Sequence, residues 1–184
     1  FYMENKTVIG FIGAGNMAYA LIKGLLSDGF EAKNINVSDA NPELLEKRSS
    51  ELGVTTHSDN VSLLKSSDIV VFAVKPQVLS IVCHELKNKA SSDQLFVSIV
   101  AGIRSKDINR WLGGDFALVR TMPNTPALFQ SGVTGLYANE LVSDDQKESV
   151  NVLLSAVGEC FWVKEENLLD AITAISGSGP AYFF

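Results

Sequence analysis

The feature that most restricts the fold of this chain is a glycine-rich turn between a strand pattern and a helix pattern. The run from Val8 to Ile12 is apolar and rich in β-branched residues, which predicts a buried strand. From Met17 to Leu26 the apolar residues recur at helical spacing, and Gly29 follows where a helix would end. A strand, a tight turn and a helix in this order predict the first unit of a parallel α/β sheet.

The turn itself has the pattern Gly13-x-Gly15-x-x-Ala18. In this context Gly13 permits the tight turn, Gly15 leaves room for a pyrophosphate against the backbone, and Ala18 keeps the helix close to the sheet. Free N–H groups at the helix start carry a partial positive charge that favours an anion. We therefore expect a dinucleotide site here. A glycine turn without a ligand, and the similar glycine loop of a methyltransferase, are alternatives that the pattern leaves open.

The rest of the chain alternates strand patterns with helix patterns, without repeats. Further strands are predicted over residues 35–38, 69–74, 95–100, 116–119, 133–137 and 161–163. Three helices are predicted with both ends: one from Pro42 to residue 53, one from the capping box of Ser143 and Gln146 to residue 157, and one from about residue 166 to 177. Three more are predicted by their starts: a cap at Asp59 or Asn60, Pro76, and a cap at Ser105. This alternation predicts a Rossmann-type doubly wound parallel sheet.

Composition narrows the class of protein further. Of 184 residues, 46% are hydrophobic and 20% are charged, which is ordinary globular usage. The net charge of −6 argues against nucleic acid or an anionic membrane as a partner. No apolar stretch approaches the roughly 20 residues that a membrane span needs, and no signal peptide opens the chain. Cys83 and Cys160 stand alone in apolar surroundings, which favours structural thiols over a metal site. We expect a cytoplasmic protein.

The choice of dinucleotide depends on Asp39, which follows the second predicted strand. An acidic residue here can accept hydrogen bonds from the adenosine ribose, which favours NAD. Ser38 and Asn41 are neutral groups that could hold the 2′-phosphate of NADP, and Lys47 and Arg48 lie near in sequence. Asp39 could equally be only a cap for the next helix. The sequence leaves NADH and NADPH open.

The chain offers little for acid–base catalysis. His57 and His84 favour surface or capping roles, and Arg120 could pair with a neighbouring carboxylate. Lys75 follows the apolar strand 69–74, where it could contact a cofactor or only end the strand. The catalytic residues, and the proton donor in particular, stay unidentified. Hydride delivery to a carbon–nitrogen double bond suits this inventory, because the nitrogen can arrive already protonated and the protein then supplies orientation.

A second conspicuous motif is Arg120-Thr-Met-Pro-Asn-Thr-Pro126, which follows the apolar strand pattern of residues 116–119. Pro123 and Pro126 cannot donate backbone hydrogen bonds, so we expect a stiff, extended loop. Open α/β sheets place their ligand chemistry on loops at the carboxyl ends of strands. The motif therefore predicts a loop of the functional site.

Five segments together resemble pyrroline-5-carboxylate reductase, and they occur in that family's order. They are Gly10-Phe-Ile-Gly-Ala-Gly-Asn-Met-Ala18, Ala73-Val-Lys-Pro-Gln77, Ser98-Ile-Val-Ala-Gly102, Arg120-Thr-Met-Pro-Asn-Thr-Pro126 and Ser176-Gly-Ser-Gly-Pro-Ala-Tyr182. The first is common among dehydrogenases, whereas the last two are specific. The resemblance covers the chain from Met3, which we take as the native start after a two-residue remnant.

The resemblance implies reduction of 1-pyrroline-5-carboxylate to L-proline with NADPH or NADH. By that likeness the pyrophosphate would be held by Gly13, Gly15, Asn16 and Met17, and the adenosine end by Asn60. Ala73, Lys75 and Pro76 would line the cofactor cleft, and Ala101, Gly102, Met122, Pro123 and Asn124 would surround the nicotinamide.

The resemblance also implies an all-helical second domain that forms a homodimer or higher homo-oligomer. We expect a dinucleotide-binding domain over residues 3–164 and the start of a truncated helical domain over residues 165–184. The family's Gly-Gly-x-Thr-like substrate segment is missing from this sequence, so most of the substrate pocket is expected beyond Phe184.

Two other functions remain open. One is a related NAD(P)-dependent hydroxyacid dehydrogenase or imine reductase. The other, for the chain as given, is an NAD(P)-binding module without catalysis of its own. Oxidation of NAD(P)H that depends on pyrroline-5-carboxylate would separate the reductase from the module.

Overall fold

A computed structural model of the chain describes residues 6–123, 126–127 and 131–170. The strands are β1 (Ile9–Ile12), β2 (Ile35–Ser38), β3 (Thr55–His57), β4 (Ile69–Phe72), β5 (Leu95–Ser98), β6 (Ala117–Met122), β7 (Gly132–Ala138) and β8 (Gly158–Trp162). The helices are α1 (Asn16–Ser27), α2 (Pro42–Leu52), α3 (Asn60–Lys65), α4 (Pro76–Leu86), α5 (Ser105–Leu112) and α6 (Asp144–Ser155), with a short 3₁₀ helix at Ala32–Asn34. Residues 167–170 are also helical.

The eight strands of the described residues form one sheet in the order β3-β2-β1-β4-β5-β6-β7-β8. The first six strands pair in parallel, which confirms the predicted doubly wound fold. Strand β7 differs, because it runs antiparallel to β6 and pairs Met122 with Gly135; β8 is then parallel to β7. The connection over residues 123–131 is shorter than the dozen or so residues that a parallel crossover needs, so the chain turns back instead.

The core lies on both faces of the sheet. One apolar cluster joins α1, α2 and α6 to strand residues such as Phe11 and Val71, and the other joins α3, α4 and α5 to residues such as Phe72 and Phe96. Val71 and Phe72 are consecutive and point to opposite faces, as the alternation of a strand requires. Burial on both faces explains why the central strands are continuous apolar runs.

Several local predictions are confirmed by the caps. Asn41 caps α2 with Pro42 in its first turn, Asp59 caps α3, and Ser143 forms a capping box with Gln146 at α6. The prediction for α5 was wrong: Arg104 is its N-cap residue, and Ser105 is the first residue of the helix. None of the helices in the described part of the chain has both the length and the apolar composition that a bilayer crossing requires.

Strand β6 is longer than the sequence predicts. It continues through Arg120 and Thr121 to Met122 instead of ending at Val119, and it stops before Pro123, which cannot donate to a ladder. Arg120 can enter the sheet because the carboxylates of Glu166 and Asp170 compensate its charge. The extended-loop prediction therefore fails for residues 120–122. Residues 124–125 of that motif, and all of residues 176–182, lie outside the described residues.

Candidate functional site

A cleft of about 360 Å³ opens at the carboxyl ends of β1, β2 and β4. The strand order reverses here, since β1 lies between β2 and β4, and open α/β sheets bind ligands at such a reversal. The cleft brings together six of the residues predicted from sequence: Gly13, Gly15, Asp39, Asn60, Ala73 and Lys75.

The two glycines of the turn have different reasons to be glycine. Gly13 has a φ of 105°, and a Cβ there would lie 2.5 Å from the Ala73 carbonyl oxygen, so the fold itself requires glycine. Gly15 has an ordinary extended backbone, with φ −67° and ψ −175°. A Cβ on Gly15 would meet no atom within 4 Å. The fold therefore does not explain glycine at position 15, whereas a ligand seated closely on the turn would.

The N-terminus of α1 is suited to an anion. Gly15 is its N-cap residue, no side chain caps it, and its first turn holds no acidic residue. In helices α2, α3 and α6 a side chain accepts hydrogen bonds from backbone N–H groups of the first turn. In α1 no side chain does so, and its first N–H groups can bind an anion instead. Asn16 and Met17 begin the helix, beside the glycines that line the cleft.

Asp39 ties the end of β2 to the glycine turn. Its Oδ2 accepts a 2.8 Å hydrogen bond from the Ala14 N–H, and its Oδ1 accepts one of 2.9 Å from the Asn41 N–H. The side chain that caps α2 is that of Asn41, which accepts from the Glu43 and Leu44 N–H groups. The capping alternative for Asp39 was therefore wrong. A carboxylate has about four acceptor sites, so capacity remains for a ribose hydroxyl.

The groups considered for a 2′-phosphate are mostly engaged. The buried Ser38 hydroxyl donates to Asn60 Oδ1 at 2.7 Å, and Asn60 Nδ2 donates to Glu85 at 2.9 Å. Arg48 is buried, and its Nε donates a hydrogen bond to the carbonyl oxygen of Ala14. Lys47 is exposed, with its ammonium 3.8 Å from Glu51.

Lys75 is exposed at the mouth of the cleft as the N-cap residue of α4, whose first residue is Pro76. Within the described part of the chain, its ammonium has no carboxylate partner within salt-bridge distance. A solvated cation at this edge of the sheet attracts an anionic ligand.

The residues predicted around the nicotinamide lie on the same edge of the sheet but outside this cleft. Ala101 and Gly102 are exposed after β5, and Met122 and Pro123 are half-buried at the end of β6. Because β5 and β6 are parallel neighbours, both loops leave the sheet where the cleft does. Asn124 lies outside the described residues.

Sequence reasoning missed the apolar walls of the cleft, formed in part by Leu44, Val78 and Val82. Val78 is 40% exposed, although α4 buries its other face in the core. A signal was available, since Val78 and Val82 are four residues apart on a helix that begins at the carboxyl edge of β4. An apolar slot at this place is suited to a planar aromatic group.

Among the described residues that line the cleft, the ionisable side chains are those of Asp39 and Lys75. Neither histidine lines it, and His84 Nδ1 lies 2.6 Å from the Ser80 carbonyl oxygen. Burial raises the pKa of the Cys83 thiol to about 12, which keeps it protonated and unreactive. Arg120 pairs with Asp170 and Glu166, which confirms the predicted carboxylate partner.

Comparisons with known proteins agree with this geometry. Residues 8–102 match the family model described as "NADP oxidoreductase coenzyme F420-dependent". The pyrroline-5-carboxylate reductase of Pseudomonas aeruginosa is 47% identical over 176 residues, which is 96% of this chain. The chain spans 64% of the length of that relative.

Solved structures give the same result. A pyrroline-5-carboxylate reductase from Coxiella burnetii has a TM-score of 0.93 at 40% identity, covering 97% of this chain and 67% of its own. The Plasmodium falciparum pyrroline carboxylate reductase, solved with NADP bound, has a TM-score of 0.83 at 30% identity, covering 97% and 65%. The sequence motifs, the cleft and these similarities agree, and the chain belongs to the pyrroline-5-carboxylate reductase family.

Proposed function

We propose that this protein reduces 1-pyrroline-5-carboxylate to L-proline by hydride transfer from NADPH or NADH. The observation that carries the proposal is Gly15, a glycine that the fold does not need, standing at the uncapped start of α1 in the cleft. A site of this form fits the pyrophosphate of a dinucleotide. Membership of the reductase family supplies the reaction.

The residues present fit the cofactor at each part of its length. Gly13 and Gly15, with the amides of Asn16 and Met17, would hold the pyrophosphate. The ribose would lie near Asp39 and Asn60, with the adenine between the apolar walls of the cleft. Lys75 would offset phosphate charge at the mouth, beside Ala73 and Pro76.

The nicotinamide end would then extend along the sheet edge toward the loops after β5 and β6. There it would meet Ala101, Gly102, Met122, Pro123 and Asn124. The nicotinamide supplies the hydride, and these residues would orient the ring and exclude water from it. The protonated imine of the substrate needs no strong acid from the cleft, which agrees with the residues that line it.

The remaining parts of the enzyme belong to the same proposal. We place the Rossmann domain at residues 3–164 and the beginning of a helical domain at residues 165–184. Substrate contacts and homo-oligomerisation would come from that helical domain, and the enzyme would work in the cytoplasm. Light scattering on the protein tests the oligomeric state directly.

A second candidate function is a dinucleotide-binding module without turnover. It is favoured by one observation: among the described residues that line the cleft, no acid–base side chain other than those of Asp39 and Lys75 is present. It applies to the chain of 19.9 kDa taken alone.

One experiment decides between these functions. Intact-mass measurement establishes the species, fluorescence titration measures binding of NADH and NADPH, and the loss of NAD(P)H absorbance is followed with and without pyrroline-5-carboxylate. Binding with substrate-dependent oxidation supports the reductase, and binding without it supports the module. Failure to bind either dinucleotide would overturn both.

A further inference from the structure

We infer that Arg48 is a positioning residue that presets the glycine turn for the pyrophosphate without contacting the cofactor. The inference rests on the proposed function, because it needs a dinucleotide to bind at the turn. In the sequence, Arg48 only lies near Ser38 and Asn41, the groups that could hold a 2′-phosphate, whereas in the structure its guanidinium donates to the glycine turn.

The backbone of Ala14, the middle residue of the turn, is held at both of its polar groups. Its N–H donates to Asp39 Oδ2 at 2.8 Å, and its carbonyl accepts a 3.0 Å hydrogen bond from Arg48 Nε. Ala14 is only 1% exposed, so neither group can turn to water instead. Both bonds are charge-assisted, which makes them stronger than ordinary backbone hydrogen bonds.

Arg48 is itself fixed by its surroundings. It is 7% exposed, its Nη1 donates to Glu51 Oε2 at 3.0 Å, and its guanidinium carbon lies 4.3 Å from the centre of the Tyr19 ring. A planar guanidinium can stack on a ring and donate in two directions at once, which a lysine ammonium cannot reproduce. The Ala14 carbonyl therefore meets a rigid donor.

The consequence for the ligand follows from the geometry of a peptide group. The Ala14 carbonyl and the Gly15 N–H belong to the same trans peptide, so they point in opposite directions. Gly15 lines the cleft and Arg48 does not. Holding the carbonyl toward Arg48 turns the Gly15 N–H away from the protein interior, toward the place where the pyrophosphate binds.

The test compares Arg48→Met with wild type in titrations of four ligands. NADH, NADPH and ADP contain a pyrophosphate, and adenosine does not. We expect the first three to bind about tenfold more weakly, by equal factors, because one charge-assisted hydrogen bond to the turn is lost. Adenosine binding should stay unchanged. Arg48→Lys should recover only part of the loss, and Lys47→Met, which changes an exposed neighbour, should lose nothing.

Other results would overturn the inference. A loss confined to NADPH would make Arg48 a ligand of the 2′-phosphate. An equal loss for adenosine in Arg48→Met would mean that the whole cleft is disturbed, and circular dichroism of the same variant would show whether misfolding is the cause. Unchanged binding of all four ligands would mean that the turn keeps its shape unaided. If wild type binds no dinucleotide, the proposed function and the role of Arg48 fail together, whereas the results above, seen with a wild type that binds, overturn the role of Arg48 alone.

Discussion

Arg120 in β6 donates from Nη2 to Asp170 Oδ1 at 2.8 Å, which joins this strand of the sheet to the end of the described chain. The guanidinium also lies 3.5 Å from Glu166, and Glu166 accepts hydrogen bonds from both the N–H and the hydroxyl of Ser105. Arg120 is 2% exposed, so its charge depends on these carboxylates. The network holds β6, the start of α5 and residues 166–170 in one arrangement.

The first prediction follows from this network. Replacing Glu166 with Ala should lower the free energy of unfolding by about 3 kcal/mol, because it strips a buried cation of one partner and leaves Ser105 unsatisfied. Asp170→Asn should cost about 1 kcal/mol, since this carboxylate is half-exposed. Urea unfolding of both variants measures the difference. Equal costs would mean that Glu166 adds nothing beyond a surface ion pair.

The two glycines of the turn give a second prediction. Gly15→Ala should keep the unfolding midpoint of wild type yet lose dinucleotide binding, because its Cβ fills only the open space above the turn. Gly13→Ala should destabilise the fold by about 2 kcal/mol or more, through a positive φ and a clash with the Ala73 carbonyl. Thermal melts measure the stability of both variants, and NADH titration measures the loss of binding. Full NADH affinity in Gly15→Ala would remove the turn from the proposed site.

A third prediction concerns cofactor preference. Asp39→Asn removes the negative charge but keeps an acceptor for the Ala14 N–H, so the NADPH-to-NADH affinity ratio should rise about tenfold. Dissociation constants from fluorescence titration give the ratio. Asn41→Ala is the matched control: it removes the α2 cap, costs about 1 kcal/mol of stability and should leave the ratio alone. An unchanged ratio in Asp39→Asn would confine Asp39 to holding the turn.

The fourth prediction is a pH dependence. Burial raises the pKa of Cys83 to about 12 and also raises that of Cys160, which is only half-buried. The folded-state pKa of Cys83 lies above the unfolded value of about 8.5, so its contribution to stability is complete below that pH and is lost as the pH rises toward 12.

Urea unfolding at pH 8 and at pH 11 measures this loss of stability, and alkylation followed by mass spectrometry checks the buried, protonated thiol on which it rests. At pH 8 the folded protein should leave Cys83 unmodified, because the thiolate is the reactive form, while Cys160 should react slowly. Both thiols should react in urea. Rapid modification of Cys83 in the folded protein would contradict its burial.

The parts of the fold that could be predicted well from the sequence depend on residues that are close to one another along the chain. The glycine turn, the cap at Asp59 and the capping box of Ser143 are set by residues within a few positions of one another. The buried strands were recognisable because both of their faces are covered.

What sequence could not predict depends on contacts between distant residues. Arg120 is charged, and a charged residue after an apolar run usually marks the end of a buried strand. It continues the strand because its carboxylate partners, 46 and 50 positions later, compensate the charge. The sequence places Arg48 only near the possible ligands of a 2′-phosphate, and its hydrogen bond to Ala14, 34 positions earlier, is seen in the structure alone. Neither pairing leaves a local pattern, because charge compensation has no fixed spacing along the chain.

The supports of the glycine turn have a consequence for how such folds can be recombined. The turn belongs to the first strand–helix unit, whereas Asp39 and Arg48 belong to the second. A graft of the Gly13–Ala18 peptide alone would therefore transfer the glycines without the groups that orient them. The smallest transferable piece of this cofactor site extends at least through Arg48, so exchange of cofactor sites between relatives would have to keep both units together.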